Sequence, residues 1–259
     1  MHPNLRRDRL LAILKQKKFH GINELKKKTG TSHATIYRDL HALAKDGKIL
    51  KTYGGVESLS EKSFAREYDK RININSGLKM AIAQTALKHI NPGDHVFLDA
   101  SSTCCFFGRA IMKSNIEGVT IVTNSISLLA EYQQYDSAVK LVSTGGSIDR
   151  ELYAFLGDFT TDFITRIRIA KTFVSAAGCT LEGGISTTSD YIMGALKAAI
   201  SAAQKRYCLI DSSKFGREHL FRIAPLSAFN AIITDGGIEK QIARKMREAG
   251  LPLVISEEP

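Results

Sequence analysis

TSHATIYRDLHALAKDGKILKTYGGV, residues 31–56, is the stretch on which the fold is decided. Ser32 stands where a helix N-cap is wanted, and Ile36, Leu40 and Leu43 recur at the spacing of one buried helical face. The opposite face of the first turns carries Ser32, His33, Thr35, Tyr37 and Arg38, residue types that read base edges and grip phosphates. After Gly47, the run Lys48 to Tyr53 alternates as a strand, and Gly54-Gly55 supplies a tight turn, so a small wing carrying Lys51 and Tyr53 follows the helix.

Upstream, Leu5, Leu10, Leu11, Ile13 and Leu14 predict a first helix, and Gly21 closes the gap behind it. A short second helix starts at Ile22-Asn23, with Asn23 as its cap, Leu25 as its core contact, Lys26-Lys27-Lys28 on its surface and Gly30 as its stop. Two helices joined by a short Gly-containing turn present the N-terminal face of the second one, which is what a major-groove reader requires.

Charge supports the same reading. The chain has 259 residues and a net charge of +10. Residues 1–59 hold 13 of the 36 Lys+Arg and 5 of the 26 Asp+Glu, a net +8, which leaves +2 for the other 200 residues. A basic excess confined to one end is the footprint of a polyanion partner.

Thr31-Ser32-x-x-Thr35-Ile36-x-Arg38-Asp39-Leu40-x-x-Leu43, continued by Gly47 and Tyr53-Gly54-Gly55-Val56, resembles the signature of the DeoR family of sugar-metabolism regulators. One departure is Tyr37, at a position where the family usually has an arginine before its Arg-Asp pair. By chemistry alone, Asp39 either holds Arg38 or caps a neighbouring element.

Residues 57–76 are polar, mixed in charge and poorly periodic, as expected of a connector. The organisation predicted is a winged helix-turn-helix over 1–58, a linker over 59–77 and a mostly parallel α/β domain over 78–259. A helix from Met80 to Ile90 is stopped by Asn91-Pro92-Gly93. Strands are expected at 95–98, 119–122, 139–142, 171–174, 207–210 and 231–233, with helical stretches between most of them and 253–255 as an edge.

The segments just after those strands are rich in hydroxyls and small residues. Asp99-Ala100-Ser101-Ser102-Thr103, Thr123-Asn124-Ser125, Ser143 to Gly146, Ala176-Ala177-Gly178, Asp211 to Lys214 and Thr234 to Gly237 all fall at predicted strand C-termini. That rim is where open α/β sheets bind ligands. Helix-start amides and small residues there suit a phosphate, and Lys214 supplies a cation. The candidate effector contacts are therefore Asp99, Ser101, Ser102, Thr103, Thr123, Asn124, Ser125, Gly145, Gly146, Gly178, Asp211 and Lys214.

These segments, with Lys79-x-x-Ile82-Ala83, Arg150 and Gly157, are also similar to the DeoR sensor domain, whose fold is akin to ribose-5-phosphate isomerase. The resemblance implies a phosphorylated sugar or polyol effector and a regulator, most often a repressor, of carbohydrate catabolism. Ser101 departs from the glycine usual in that loop, and Ala170 from an aspartate.

An isomerase-like enzyme carrying an accessory DNA reader is the alternative, with Asp99 or Asp211 as base. Fusion to a DNA reader favours sensing over turnover, so no catalytic residue is assigned. A third reading gives the larger domain only an oligomerising role. Cysteines 104, 105, 179 and 208 offer no C-x-x-C spacing and the seven histidines no i, i+4 pair, so neither a metal nor a cofactor is expected. No apolar run approaches the roughly 18 residues of a membrane span, and no apolar segment backs the polar N-terminus as in a signal peptide. The expectation is a cytoplasmic homo-oligomer on double-stranded operator DNA.

Overall fold

The computed structural model describes residues 3–14, 19–45, 49–52, 55–58 and 67–257. The chain divides into two compact units, 1–65 and 66–259.

In the first unit α1 (Pro3–Leu14) is followed by β1 (Phe19–Gly21), α2 (Ile22–Thr29), α3 (His33–Lys45), β2 (Ile49–Thr52) and β3 (Gly55–Ser58). Leu10, Leu14, Leu25, Ile36, Leu40 and Leu43 interlock with Ile49 and Val56 in one core. Gly30 ends α2 in the left-handed region at φ 64° and donates its N–H to the Lys26 carbonyl. Ser32 Oγ accepts the Thr35 N–H at 3.3 Å, the expected cap of α3.

Three details differ from expectation. Gly21, not Asn23, is the N-cap of α2, because the helix already begins at Ile22. Gly21 also ends a three-residue strand that pairs antiparallel with β3, in the order β1-β3-β2. Asp39 neither holds Arg38 nor caps an element: buried to 2% exposure, it accepts from Arg6 at 2.5 Å and 3.0 Å and from Arg7 at 3.4 Å. Gly47, Lys48, Tyr53 and Gly54 lie outside the described residues, as does the Lys51 side chain.

The second unit starts with α4 (Glu67–Asn73), within the stretch expected to be linker, and α5 (Ser76–Leu87), which begins earlier than Met80. Then come β4 (His95–Leu98), α6 (Ser102–Lys113), β5 (Thr120–Thr123), α7 (Ile126–Glu131), β6 (Lys140–Ser143), the hairpin β7 (Ser147–Asp149) and β8 (Ala154–Leu156), and α8 (Asp158–Thr165). The chain continues through β9 (Ile169–Val174), β10 (Gly178–Thr180), β11 (Gly184–Thr187), α9 (Asp190–Ala202), β12 (Ala203–Leu209) and β13 (Phe221–Ala224). It closes with β14 (Ala231–Thr234), α10 (Lys240–Glu248) and β15 (Leu253–Ile255).

Seven of these strands form a parallel sheet in the order β15-β14-β12-β9-β4-β5-β6. All seven expected strands are present, shifted by a few residues at most ends, and β15 is the edge. The sheet is buried on both faces, which is why its strands read as apolar runs. Val96 and Leu98 pack with α5 and α6 residues such as Ile82, Phe107 and Ile111. Phe97, between them, packs with Ile164, Ala195 and Ala199 of α8 and α9. The β7–β8 hairpin and the antiparallel β10-β11-β13 sheet were not foreseen. Their strands have three or four residues each, too few to show a period.

From β4 the chain moves outward through β5 and β6, then returns to β9 on the other side of β4 and moves outward again through β12, β14 and β15. The order therefore reverses between β4 and β9, and the crevice at their C-terminal ends is the switch point at which such sheets receive ligands.

Candidate functional site

The face expected to read DNA belongs to α3. Ser32, His33, Tyr37 and Arg38 are exposed and Thr35 is half-exposed. Ser32 and Thr35 share a hydroxyl hydrogen bond of 2.9 Å, and the rings of His33 and Tyr37 lie 5.0 Å apart. Tyr37 is 48% exposed, a large aromatic left at the surface beside a cation. No partner holds Arg38 among the described residues, so its guanidinium is available to an acceptor outside the chain. Behind this face, Asp39 ties α3 to Arg6 and Arg7 of α1. Part of the basic charge near the N-terminus thus serves to orient the helix. On α2, Lys26, Lys27 and Lys28 are exposed, with Lys28 3.1 Å from Glu24.

At the rim of the large sheet, Asp99 links the two strands that flank the switch point. Its Oδ1 accepts the Ser101 N–H at 3.0 Å and its Oδ2 the Ser175 N–H at 2.9 Å. Burial pushes the carboxyl above the usual range, against these hydrogen bonds to the charged form. Ser101 is the N-cap of α6, its Oγ accepting the Cys104 N–H at 3.1 Å. A glycine there would forgo the cap. Ser102 and Thr103 form the buried first turn, and among the described residues no loop or cap carbonyl takes up their N–H groups.

Thr123 Oγ1 donates to the Leu98 carbonyl at 2.7 Å and accepts the Ser125 N–H at 3.0 Å. Ser125 caps α7 through the Leu128 N–H at 3.3 Å. Asn124 donates its Nδ2 to the Phe155 carbonyl at 3.1 Å, while its Oδ1 is buried without a partner among the described residues. Gly145 and Gly146 adopt φ of 63° and 119°. A Cβ on Gly146 would fall 2.2 Å from Thr160 Oγ1, whose hydroxyl holds the Gly145 carbonyl at 2.6 Å.

Gly178 is accounted for by packing: it begins β10, and a Cβ would fall 2.4 Å from the Arg217 carbonyl oxygen. Asp211 caps the short turn after β12 by accepting from the N–H and Oγ of Ser213. Lys214 is half-buried in that turn. Several hydroxyls expected to face a ligand are thus committed to caps. The groups at this rim left to meet one include the α6 amides, the Ser102 and Thr103 hydroxyls, Asn124 Oδ1 and the Lys214 ammonium.

Ser175, Thr160 and Asn75 also hold this rim together and were missed; only contacts between distant segments reveal them. Cysteines 104, 105, 179 and 208 are buried free thiols, pushed up by desolvation, Cys179 to about 12. They act as small apolar side chains. A cleft between β10, the Phe215-Gly216 turn and α10 contains none of the expected site residues. Among the described residues no cluster of metal-ligating side chains occurs, and no helix is long and apolar enough to cross a membrane.

Residues 6–62 match the DeoR-like helix-turn-helix domain and residues 74–236 the DeoR C terminal sensor domain. The chain belongs to the DeoR family. It is a DNA-binding transcription regulator with a winged helix-turn-helix followed by a mostly parallel α/β sensor domain.

Relatives of this DeoR-family regulator include the L-fucose operon activator of Haemophilus influenzae, 30% identical over 97% of this chain and 100% of that one. The HTH-type transcriptional regulator GlpR of Haloferax volcanii is 28% identical over 98% of both chains. A putative aga operon transcriptional repressor of Escherichia coli O157:H7 is 27% identical over 96% and 93%. Among solved structures, ribose 5 phosphate isomerase A from Neisseria gonorrhoeae is similar over 53% of this chain and 52% of that chain, with 19% identity and a TM-score of 0.38.

Proposed function

We propose that this regulator represses a carbohydrate catabolic operon and that a phosphorylated sugar or polyol, bound at the sensor rim, controls its hold on operator DNA. The observation that carries the reading is the switch-point rim: unclaimed amides at the start of α6 and a half-buried Lys214 above the same edge of the sheet. Such amides and an ammonium take a phosphate's oxygens, while Asn124 Oδ1, an acceptor with no donor among the described residues, takes a hydroxyl. The names of the relatives support carbohydrate operons and include both an activator and a repressor.

DNA contacts come from Ser32, His33, Thr35, Tyr37 and Arg38, with Lys51 and Tyr53 as further contacts. A reader of this size makes few base contacts, which supports a homo-oligomer on repeated or palindromic sites in the cytoplasm. We read the two units as a reader and a sensor joined by the connector that precedes α4. Turnover is disfavoured, because both oxygens of Asp99 are engaged by backbone amides and Asp211 is occupied by Ser213. Neither is poised to take a proton from carbon.

The test is a thermal-shift screen of pentose, hexose and polyol phosphates, repeated on Lys214→Ala. The stabilising phosphate should bind the variant roughly tenfold or more weakly, the loss of a charge-assisted hydrogen bond, with operator affinity retained. Equal stabilisation of both proteins would refute the phosphate site.

A further inference from the structure

Helix α4 is the first described element after the reader, and its hold on the sensor is unusual. Of its seven residues only Tyr68 is a buried apolar anchor, with Ile72 packed partly against the main core. Polar contacts at two places add to that packing.

At its start, the Tyr68 N–H donates to the Glu151 carbonyl at 3.1 Å, and the Tyr68 ring lies 5.7 Å from that of Tyr153. Both partners belong to the turn of the β7–β8 hairpin, where Tyr153 takes a left-handed φ of 56°. The same hairpin clamps the rim: the Tyr153 carbonyl accepts the Ile126 N–H at 3.1 Å, and Phe155 exchanges hydrogen bonds with Asn124.

At its end, Lys79 is 3% exposed and turns its ammonium onto the carbonyls of Arg71 and Ile74. A cation on the last carbonyls of a helix satisfies and orients them. Asn75, left-handed at φ 55°, reaches Asp211 Oδ1 at 3.4 Å. Burial lowers the Lys79 pKa; Asp211 raises it, while Lys214 and Arg71 lower it further. The lysine that secures α4 therefore feels the charges of the 211–214 turn.

We propose that residues 67–79 relay effector occupancy to the connector, with Lys79 and Asn75 as positioning residues that couple α4 to the 211–214 turn. This rests on the reading of the rim as the effector site. An anion on Lys214 acts on the 211–214 turn, which Asn75 reaches through Asp211 Oδ1, and so changes how residues 74–79 hold the end of α4. The hairpin carries the second arm, from Asn124 to Tyr68. Because α4 has only seven residues, a change in the polar contacts at its two ends shifts its order. Both ends of the helix respond to one ligand, and the connector is continuous with its first turn.

Amide hydrogen exchange on the full chain tests this, with inorganic phosphate in one arm and D-ribose 5-phosphate with D-fructose 6-phosphate in the other. In the native protein either probe that protects 99–103 and 123–125 should also slow exchange across 67–79, by about fivefold or more, the lower bound of ordinary coupling. In Lys79→Met the rim should still be protected while the response across 71–79 is lost, and operator affinity should lose most of its dependence on the probe. Lys79→Arg, which keeps the donor, should restore part of the response. Asn75→Gly retains the left-handed turn and removes only the link to Asp211, so it should weaken the response even if the buried lysine cannot be replaced without unfolding. Rim protection with unchanged exchange at 67–79 in the native protein would overturn the relay alone. Failure of every probe to protect the rim would overturn the relay together with the effector reading.

Discussion

Asp39 and Arg38 are neighbours on one helix with opposite tasks. Arg38 faces outward, and Asp39 is buried against α1, where Arg6 and Arg7 converge on it. Arg38→Ala should leave the thermal midpoint of the reader in place and flatten the plot of log binding constant against log salt by about 0.9, the release of one phosphate's counterion. Asp39→Ala should do the reverse in origin, lowering the reader's midpoint by on the order of 5 °C and weakening every operator alike. Calorimetry and a salt titration of binding separate the two. A midpoint unchanged in Asp39→Ala would show that the clamp contributes nothing to the reader.

At the scale of elements, the rim is a set of helix starts and tight turns locked to one another before any ligand arrives. Ser101 caps α6 and Asp99 holds the loop in front of it, so the α6 amides are aimed by the protein and not by the ligand. Ser101→Ala should cost about 1 kcal/mol, the usual worth of a cap. Gly146→Ala should cost more, about 1–3 kcal/mol, since a methyl there meets Thr160 Oγ1 and the Leu156 carbonyl at a φ that side chains avoid. Both should appear as a shift of the sensor's denaturant transition with the reader's unmoved. If Gly146→Ala were neutral, the turn would be free to relax and the rim less rigid than its hydrogen bonds indicate.

For the whole molecule, control of DNA by a small effector is a linkage between two sites. If the effector changes operator affinity by some factor, saturating operator must change effector affinity by that same factor. Titration calorimetry of the stabilising sugar phosphate, with and without operator duplex, should return equal ratios. Unequal ratios would mean that the effector acts on something other than the binding equilibrium. At a hundredfold excess over its dissociation constant the effector should stabilise the sensor by about 2.7 kcal/mol.

Much of this was readable from the residues alone. The recognition helix announced itself through a cap, a period and a charge excess, all of which are local. The parallel sheet did so because strands buried on both faces must be apolar throughout, and the rim loops because small and hydroxylated residues recur after each strand. Tertiary structure decided what local pattern cannot encode. Asp39 turned toward α1 because the nearest cations in space lie more than thirty residues away in sequence. The three-residue β1 exists only because β3 pairs with it. Helix α4 is too short for an apolar period to reveal it, and contacts with Glu151, Tyr153 and Lys79 fix its two ends. Asp99, Ser101, Thr123 and Ser125 looked alike in sequence as ligand groups. Only the fold, by supplying each with a backbone partner, separated the side chains that build the rim from the few atoms left to bind.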